Sequence, residues 1–351
     1  MTVGFLAPPW QIPPRAYGGV ERAADELCRG LVSRGHEVRL WAARSSTCPV
    51  PTSGVIEELD HTKGWHTAPT ELFHVLSGYR WLSDQGVDII HDITYAGPLI
   101  GPSVVDVPVV TTNYLPFTPP LPGHSSPDLG LIYQTASRRV PVLAISHAQA
   151  AGASGFTPHM IHLGIDVKNT PFGDGAGDEK GPYVAFFGRM APEKGVREAI
   201  LAARAAGLRL KLASRVAEDH ERAYFEDQVE PLIDGDDVQF LGEVDRIAGL
   251  HLLKDAVAMV NPIAWPEPFG LAMVESLATG TPIVARRSGA VDEVVRHGVT
   301  GAVCDSFEEV VEGLRKYRTY DRLACRTVAE EHFSTERMVD EHIRFYRSVL
   351  A

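Results

Sequence analysis

Short apolar runs alternate with amphipathic stretches along almost the whole chain. In the first half, the apolar runs predict strands near 2–7, 37–43, 87–91, 108–112 and 141–145, and the amphipathic stretches predict helices near 19–33, 70–84 and 128–139. This alternation is typical of βαβ units and parallel sheets. Because ligands bind at the carboxyl ends of parallel strands, functional residues are expected in the loops that follow the strands.

A polar, glycine-rich stretch at 168–181, KNTPFGDGAGDEKG, is a candidate linker, after which the alternation restarts with the strand PYVAFFG. The pattern predicts an N-terminal doubly wound α/β domain over 1–165 and a C-terminal one over 166–330, followed by a helical segment at 331–351. A chain of 351 residues is too long to fold around a single ordinary hydrophobic core. A ligand shared by both domains is expected in the cleft between them.

Composition and charge narrow the class of protein. The net charge of −12 disfavours a nucleic-acid surface, and no apolar run approaches the ~18 to 20 residues of a membrane span. The first ten residues lack the basic region of an export signal, and the four cysteines are scattered without metal-type spacing. We therefore expect a cytoplasmic enzyme acting on small molecules, with no integral membrane segment and an unknown oligomeric state.

A pair of adjacent glycines, and not the glycine-rich motif of dinucleotide-binding proteins, follows the first predicted strand. No GxGxxG follows the first strand of either domain, which disfavours a nicotinamide or flavin enzyme. Gly18 and Gly19 instead stand at the expected start of the first helix, where unpaired backbone N–H groups and the helix dipole favour an anion. A tight turn without any ligand explains the pair equally well.

The segment FFGRMAPEKG places Gly188, Arg189 and Lys194 at the end of a predicted strand and the entry to a helix. Two cations in this position suit a diphosphate, because arginine grips two oxygens and lysine supplies a point charge. An ordinary solvated basic pair is the alternative, and this segment alone does not decide between them.

The segment WPEPFGLAMVES holds two glutamates on either side of an expected helix start. The N–H groups of Phe269, Gly270 and Leu271 can point at phosphate oxygens there. Glu275 lies inside the helix, within reach of a ribose, and Glu267 precedes the helix on the side where a sugar extends. No Asp or His nearby completes a metal site, and the close pair of a retaining glycosidase is not favoured. The two acids are interpreted as a clamp on an extended ligand.

These segments, with GTPIVARRSGAVDEVVRHGVTG and YGGVERAADELCRGLVSRGHEV, resemble the retaining glycosyltransferases of family 4 over nearly the whole chain. The resemblance implies the GT-B architecture, in which two Rossmann-like domains face each other and a C-terminal helix crosses back to the first. It also implies that Arg189 and Lys194 bind the donor diphosphate, Glu275 the ribose and Glu267 the donor sugar.

Further donor contacts are implied by the same resemblance. Gly19 approaches the diphosphate from the first domain, and the backbone of Gly242, Glu243 and Val244 meets the nucleobase. The segment ASR stands where close relatives often have AGK, and there Arg215 keeps the positive charge.

The acceptor side differs from the family. Where relatives carry a histidine that touches the donor sugar, this chain has Tyr114, preceded by Asn113. His91 ends a predicted strand and is expected to face the cleft, with a purely structural histidine as the equal alternative. The loop at 117–127 is expected to shape an acceptor pocket. Residues 1–165 contain 10 Lys and Arg against 13 Asp and Glu, which favours a soluble acceptor over a lipid.

The sequence thus predicts a retaining glycosyltransferase that uses a nucleoside diphosphate sugar, with UDP favoured over GDP. Arg189, Lys194 and Glu267 are the expected catalytic residues, and neither a metal nor another cofactor is expected. The expected acceptor is a natural product or an oligosaccharide precursor. Two alternatives remain, a non-hydrolysing nucleotide-sugar epimerase and a catalytically inactive nucleotide-sugar-binding subunit.

Overall fold

The computed structural model describes residues 1–15, 18–58, 68–118 and 128–351. The chain forms two compact units, one comprising Met1–Gly164 with Thr335–Ala351 and the other comprising Ile165–Ser334. Among the described residues, no helix combines the length and the apolar character needed to cross a lipid bilayer.

The first unit is built on a parallel sheet. Its strands are β1 (Thr2–Leu6), β2 (Glu37–Trp41), β3 (Thr52–Ser53), β4 (Ile89–Asp92), β5 (Val109–Thr112), β6 (Val142–Ala144) and β7 (His159–Met160). Its helices are α1 (Gly19–Ser33), α2 (Ala68–Asp84), α3 (Gly97–Ile100), α4 (Leu129–Ala136), α5 (His147–Ala151) and α13 (Thr335–Leu350). The strand order is β3-β2-β1-β4-β5-β6-β7, with all neighbours parallel. All residues of β4 and β5 are buried, as expected for strands covered on both faces.

The second unit repeats this plan with six parallel strands. They are β8 (Tyr183–Arg189), β9 (Arg209–Arg215), β10 (Val238–Gly242), β11 (Ala258–Asn261), β12 (Ile283–Arg286) and β13 (Gly301–Cys304). The helices are α6 (Val196–Ala206), α7 (Asp219–Tyr224), α8 (Arg246–Asp255), α9 (Leu271–Ala278), α10 (Val291–Val294), α11 (Phe307–Arg315) and α12 (Arg322–His332). The strand order is β10-β9-β8-β11-β12-β13.

The order of strands in the second unit reverses between β8 and β11. The chain leaves β8 toward β9 but continues from β11 toward β12 on the other side, which opens a crevice at the carboxyl ends of β8 and β11. Arg189 is the last residue of β8, and Asn261 is the last residue of β11. The loops that carry Lys194 and Glu267 therefore both leave the sheet at this crevice.

Helix α13 completes the first unit. It packs on α1 so closely that a Cβ placed on Gly30 would lie 2.3 Å from Cγ2 of Val339. At the edge of this contact, Arg34 donates to both carboxylate oxygens of Asp340, at 2.7 and 3.0 Å. The first unit is therefore assembled from two distant parts of the sequence.

The glycine-rich stretch at 168–181 is held against the second unit rather than forming a free linker. Nε of Arg322 donates to the carbonyl of Gly173 at 2.8 Å, and the N–H of Gly173 donates to the carbonyl of Thr279 at 3.1 Å. The division between the units lies earlier, after Gly164. Composition identified a polar segment but not the backbone partners that fix it.

Candidate functional site

The carboxyl ends of β8 and β9 bring several of the expected residues together. The parallel register pairs Gly188 with Ser214 and Arg189 with Arg215. The N–H of Met190 extends this pairing and donates to the carbonyl of Arg215 at 3.0 Å. The two arginines thus leave neighbouring strands at the same edge, where the sequence predicts a diphosphate.

Arg189 is held by two carboxylates. Its Nη1 donates to Oε1 of Glu221 and its Nη2 to Oε1 of Glu193, each at 3.0 Å. Glu221 is fully buried, and its Oε2 accepts the backbone N–H groups of Ala217 and Glu218. The buried acid fixes the direction of the guanidinium and offsets part of its charge. An anion must therefore share Arg189 with these two acids.

A glycine lets the loop after β8 approach the loop after β11. Gly195 is the N-cap residue of α6 with a φ of +73°, and a Cβ on it would lie 2.2 Å from the carbonyl oxygen of Pro262. No other residue fits both the conformation and the space. This close approach places Lys194, in the preceding turn, beside the segment that carries Glu267.

Lys194, Trp265 and Glu267 form a compact cluster. Nζ of Lys194 lies 2.5 Å from Oε2 of Glu267, and Nε1 of Trp265 donates to the same oxygen at 2.9 Å. The ammonium also lies 4.8 Å from the centre of the Trp265 ring, within the range of a cation–π contact. The side chains of Lys194 and Glu267 are only 13% and 14% exposed, so water screens the pair poorly. Sequence reasoning assigned no role to Trp265, although it stands close to Glu267.

The backbone of this cluster is fixed by the loop after β12. Oγ of Ser288 donates to the carbonyl of Trp265 at 2.6 Å, and the N–H of Ala290 donates to the carbonyl of Glu267 at 2.9 Å. Gly289, between them, has a φ of +55°, and a Cβ there would lie 2.1 Å from the carbonyl oxygen of Glu267. The position of the cluster is therefore set by main-chain contacts as well as by charge.

Helix α9 begins with a turn that no side chain caps. Its N-cap residue, Gly270, has a φ of +85°, and a Cβ on it would lie 2.4 Å from Cε of Met273. Leu271 is the first helical residue, and the preceding Phe269 is buried. The N–H groups of a first helical turn and the helix dipole favour an anion, so the anion site expected here stays a prediction.

Glu275 lies inside α9 with 2% of its side chain exposed. Its Oε1 lies 3.7 Å from Nε of Arg246, the first residue of α8, whose side chain is 35% exposed. The buried carboxylate of Glu275 thus contacts a partly exposed arginine in the helix that follows β10. Sequence reasoning did not find Arg246, because it belongs to a different helix and no local spacing links it to Glu275.

A cleft of about 440 Å³ opens where β9 and β10 end. Gly242 and Glu243, two of the three residues expected at the nucleobase, line it together with Ser214, whereas Val244 does not. Oγ of Ser214 is buried and has no hydrogen-bond partner among the described residues. The predicted base-binding backbone therefore borders a cavity, and the nucleobase assignment stays a prediction.

In the first unit, Gly18 is the N-cap residue of α1 and Gly19 its first residue. Here a protein carboxylate lies close to the helix start, because a Cβ on Gly18 would be 2.9 Å from Oε2 of Glu21. Glu21 is buried in the first turn. An anion approaching Gly19 would meet this carboxylate, whose closeness to Gly18 the sequence motif did not reveal.

His91 is placed differently from the expectation that it faces a cleft. It is fully buried, with Nδ1 2.6 Å from the hydroxyl of Tyr346 and Nε2 2.7 Å from Oγ1 of Thr112. Its ring lies 5.7 Å from that of His342. Burial lowers the pKa of His91 well below its usual value. The structural alternative is therefore correct, because α13 covers the end of β4.

Asn113 is also a structural residue. It is fully buried, its Nδ2 donates to the carbonyl of Leu115 at 2.6 Å, and its Oδ1 accepts the N–H of Leu115 at 3.1 Å. An acceptor therefore has no open access to this side chain, which corrects its assignment to the acceptor side. Tyr114 is half-buried, and burial raises its pKa. Most of the acceptor loop, residues 119–127, lies outside the described residues.

Two protein-family models match the chain. The model for glycosyl transferases group 1 matches residues 168–326, and the model for Glycosyltransferase Family 4 matches residues 17–169. The first match includes the loops of Lys194 and Glu267, and the second includes the start of α1.

Curated proteins match the chain over different lengths. Glycogen synthase of Mycobacterium tuberculosis strain H37Rv is 26% identical over 346 residues, 84% of this chain and 80% of that protein. N-acetyl-alpha-D-glucosaminyl L-malate synthase of Bacillus anthracis is 30% identical over 124 residues, and that match spans about a third of each protein, 33% of this chain and 32% of the relative.

Solved structures share the fold along the whole chain. A glycosyltransferase involved in avilamycin A biosynthesis has a TM-score of 0.73 and 24% identity, with 99% of this chain and 98% of that one covered. The Anabaena protein HepE in complex with UDP-glucose has a TM-score of 0.76 and 20% identity, with 99% and 100% covered. The predicted GT-B fold is confirmed, and because the two models together match residues 17–326, the chain belongs to the glycosyltransferases.

Proposed function

We propose that the protein is a retaining glycosyltransferase that transfers a sugar from a nucleoside diphosphate sugar, UDP in preference to GDP, to a soluble acceptor. One observation carries the proposal: Lys194 contacts Glu267 at the crevice beside the uncapped start of α9. A cation suited to a diphosphate and a carboxylate suited to a sugar are thus side by side, as a nucleotide sugar requires.

The donor-binding roles follow from these positions. Arg189 and Lys194, with the first-turn N–H groups of α9, bind the diphosphate and stabilise the charge that develops on it as it leaves. Glu275, paired with Arg246, binds the ribose hydroxyls. Glu267 binds the sugar and favours the positive charge that develops at the anomeric carbon.

Transfer proceeds with retention of configuration. The acceptor hydroxyl attacks the anomeric carbon from the face that the diphosphate leaves, and a departing phosphate oxygen takes its proton. The bond between the anomeric carbon and the phosphate oxygen breaks as the new glycosidic bond forms. Charge on the leaving group is met by Arg189, Lys194 and helix N–H groups, so the reaction proceeds without a metal ion.

The aspartates at 234 and 236 do not offer a metal site for this chemistry. They precede β10, at the amino end of the strand, whereas the donor site lies at the carboxyl ends. Oδ1 of Asp234 accepts three backbone N–H groups, those of Asp236, Asp237 and Val238. This Asp-x-Asp sequence therefore shapes a turn.

The substrates are proposed from likeness and charge. The preference for UDP is supported by the similarity to HepE, which was solved with UDP-glucose. A natural-product or oligosaccharide-precursor acceptor is supported by the similarity to an enzyme of avilamycin A biosynthesis. Residues 1–165, with 10 Lys and Arg against 13 Asp and Glu, do not favour an anionic lipid surface.

A panel of UDP-sugars and GDP-sugars, screened for protection against thermal unfolding, identifies the donor because a ligand stabilises the state it binds. The isotope-labelled donor is then incubated with and without candidate acceptors, and the products are analysed by mass spectrometry. Sugar transfer, or slow donor hydrolysis, is the expected result. An epimerised nucleotide sugar would identify an epimerase instead, and binding without any turnover an inactive nucleotide-sugar-binding subunit.

A further inference from the structure

Trp265 contacts both charged members of its cluster through different parts of its ring. Its indole N–H donates to Oε2 of Glu267 at 2.9 Å. The face of the ring lies 4.8 Å from Nζ of Lys194, which itself contacts Oε2 of Glu267 at 2.5 Å. Trp265 is a neutral group that joins the cation expected at the diphosphate to the carboxylate expected at the sugar.

These contacts leave one oxygen of Glu267 open. Both contacts reach Oε2, and Oε1 has no hydrogen-bond partner within the ranges that the structure describes. A carboxylate held through one oxygen presents the other in a defined direction. Oε1 of Glu267 is therefore the atom available to a sugar hydroxyl.

A bound diphosphate changes the balance of these contacts. It carries more negative charge than a single carboxylate, so it draws the ammonium of Lys194 toward itself and weakens the contact with Glu267. The indole N–H is uncharged and is not drawn in the same way. Its position is also fixed through the main chain, because Oγ of Ser288 donates to the carbonyl of Trp265 at 2.6 Å.

We propose that Trp265 is a positioning residue that keeps the Glu267 carboxylate directed at the donor sugar once the diphosphate has drawn Lys194 away. The inference rests on the proposed function, since it requires a diphosphate for Lys194 and a sugar for Glu267. Under this arrangement the ion pair holds the carboxylate before the donor binds, and the indole holds it afterwards.

The contact is tested by NMR of the indole N–H groups in ¹⁵N-labelled protein, which contains five tryptophans. Trp265→Phe removes one resonance and thereby assigns it. Glu267→Gln should move this resonance upfield, because an amide oxygen is a weaker acceptor than a carboxylate. Saturating UDP should leave it in its hydrogen-bonded position. A resonance that ignores Glu267→Gln, or that moves with UDP to the position of a water-exposed indole, would overturn the inference.

The role is tested by a double-mutant cycle of Trp265→Phe and Glu267→Ala. Phenylalanine keeps an aromatic ring beside Lys194 and removes the N–H. With the donor found by the thermal screen, Trp265→Phe should lower kcat about tenfold, equivalent to about 1.4 kcal/mol, with KM and UDP affinity within about twofold of the parent. In the Glu267→Ala background, the same change should alter kcat less than about twofold. The positioning role would be contradicted if the two substitutions lowered kcat additively, or if Trp265→Phe kept the kcat of the parent.

Trp81→Phe is the matched control. Trp81 is half-buried on α2 in the first unit and packs on Trp41, with ring centres 5.6 Å apart. This variant should keep the parental kcat, which separates the loss of the indole N–H at Trp265 from a general effect of replacing tryptophan. If no nucleoside diphosphate binds the parent, both the proposed function and this inference are wrong. If the parent binds UDP and transfers sugar while the cycle is additive, the inference alone fails.

Discussion

Nζ of Lys194 lies 2.5 Å from Oε2 of Glu267, across 73 positions of sequence. Two groups expected to bind different parts of one donor are thus partners of each other in the free protein. A donor must replace their ion pair with contacts to phosphate and sugar. The affinity for the nucleotide alone therefore reports the difference between the two sets of contacts.

Replacing Glu267 and Glu275 by alanine should have different effects on UDP binding and turnover. Glu267→Ala should bind UDP at least as tightly as the parent, because Lys194 is released from its partner, while turnover falls by roughly 10² to 10³. Glu275→Ala should weaken the binding of both UDP and the UDP-sugar, since the ribose contact is lost. Calorimetry and turnover are measured on both variants. A loss of UDP binding in Glu267→Ala as large as in Glu275→Ala would mean that both acids act on one part of the ligand.

Arg189→Ala should weaken UDP binding at least about tenfold, because a hydrogen bond from a charged group contributes roughly 1.5 to 3 kcal/mol. It should also lower Tm, since buried Glu221 loses its cation. Arg204→Ala removes an exposed pair with Asp234 and should change both quantities little. The UDP affinity of the folded variants is measured by calorimetry. An unchanged affinity in Arg189→Ala would show that this residue does not bind the donor.

Gly195→Ala should destabilise the second unit and weaken UDP binding, because its Cβ would collide with the carbonyl oxygen of Pro262 and push the two loops apart. Gly207, the C-cap residue of α6, has the same φ of +73°, but nothing lies within 4 Å of a Cβ there. Gly207→Ala therefore measures the cost of the backbone conformation alone, roughly 1 to 2 kcal/mol. Equal losses of stability in the two variants, measured by urea unfolding, would show that the close approach is unimportant.

Asp92 should make stability depend on pH. Burial raises its pKa to about 7, although Tyr79 and the N–H of Thr94 donate to its carboxyl group. The pKa of an aspartate in an unfolded chain is about 3.9, so the folded state binds the proton more tightly. The resulting stabilisation is complete below about pH 3.9 and is lost as the pH rises through about 7.

Asp92→Asn, which is neutral at every pH, should therefore resemble the parent near pH 4 and become more stable than it above pH 7. The free energy of unfolding of the two proteins should diverge by up to about 1.4 kcal/mol per pH unit between these limits. Urea unfolding at several pH values measures this, with Asp106→Asn on an exposed site as the control. Parallel stability curves for Asp92→Asn and the parent would show that Asp92 is ionised throughout.

Turnover should survive excess EDTA, because arginine, lysine and helix N–H groups supply the positive charge at the leaving diphosphate. Activity is measured after incubation with the chelator and again after manganese is added. Complete loss in EDTA with recovery in manganese would contradict the proposed mechanism. A protein denatured by EDTA is distinguished by its circular dichroism spectrum.

The fold was predictable because its signals are local. The helix predicted near 19–33 is α1, Gly19–Ser33, since its apolar face and its first turn are both written in consecutive residues. His91 shows where local signals end. Its strand was predicted, but the residue that covers it, Tyr346, lies 255 positions away. The cations and acids of the proposed donor site were predicted from their positions after strands, whereas the contacts of Trp265 and Arg246 depend on how separate loops meet.

Because α13 belongs to the first unit, the first unit begins to be synthesised before the second but is completed after it. A ribosome finishes all residues of the second unit, 165–334, before it makes 335–350, which supply the last helix of the first. Until then α1 lacks its partner and His91 lacks the hydroxyl of Tyr346. A nascent chain that has reached residue 334 therefore contains every residue of the second unit, while α1 of the first unit still lacks the helix that packs on it.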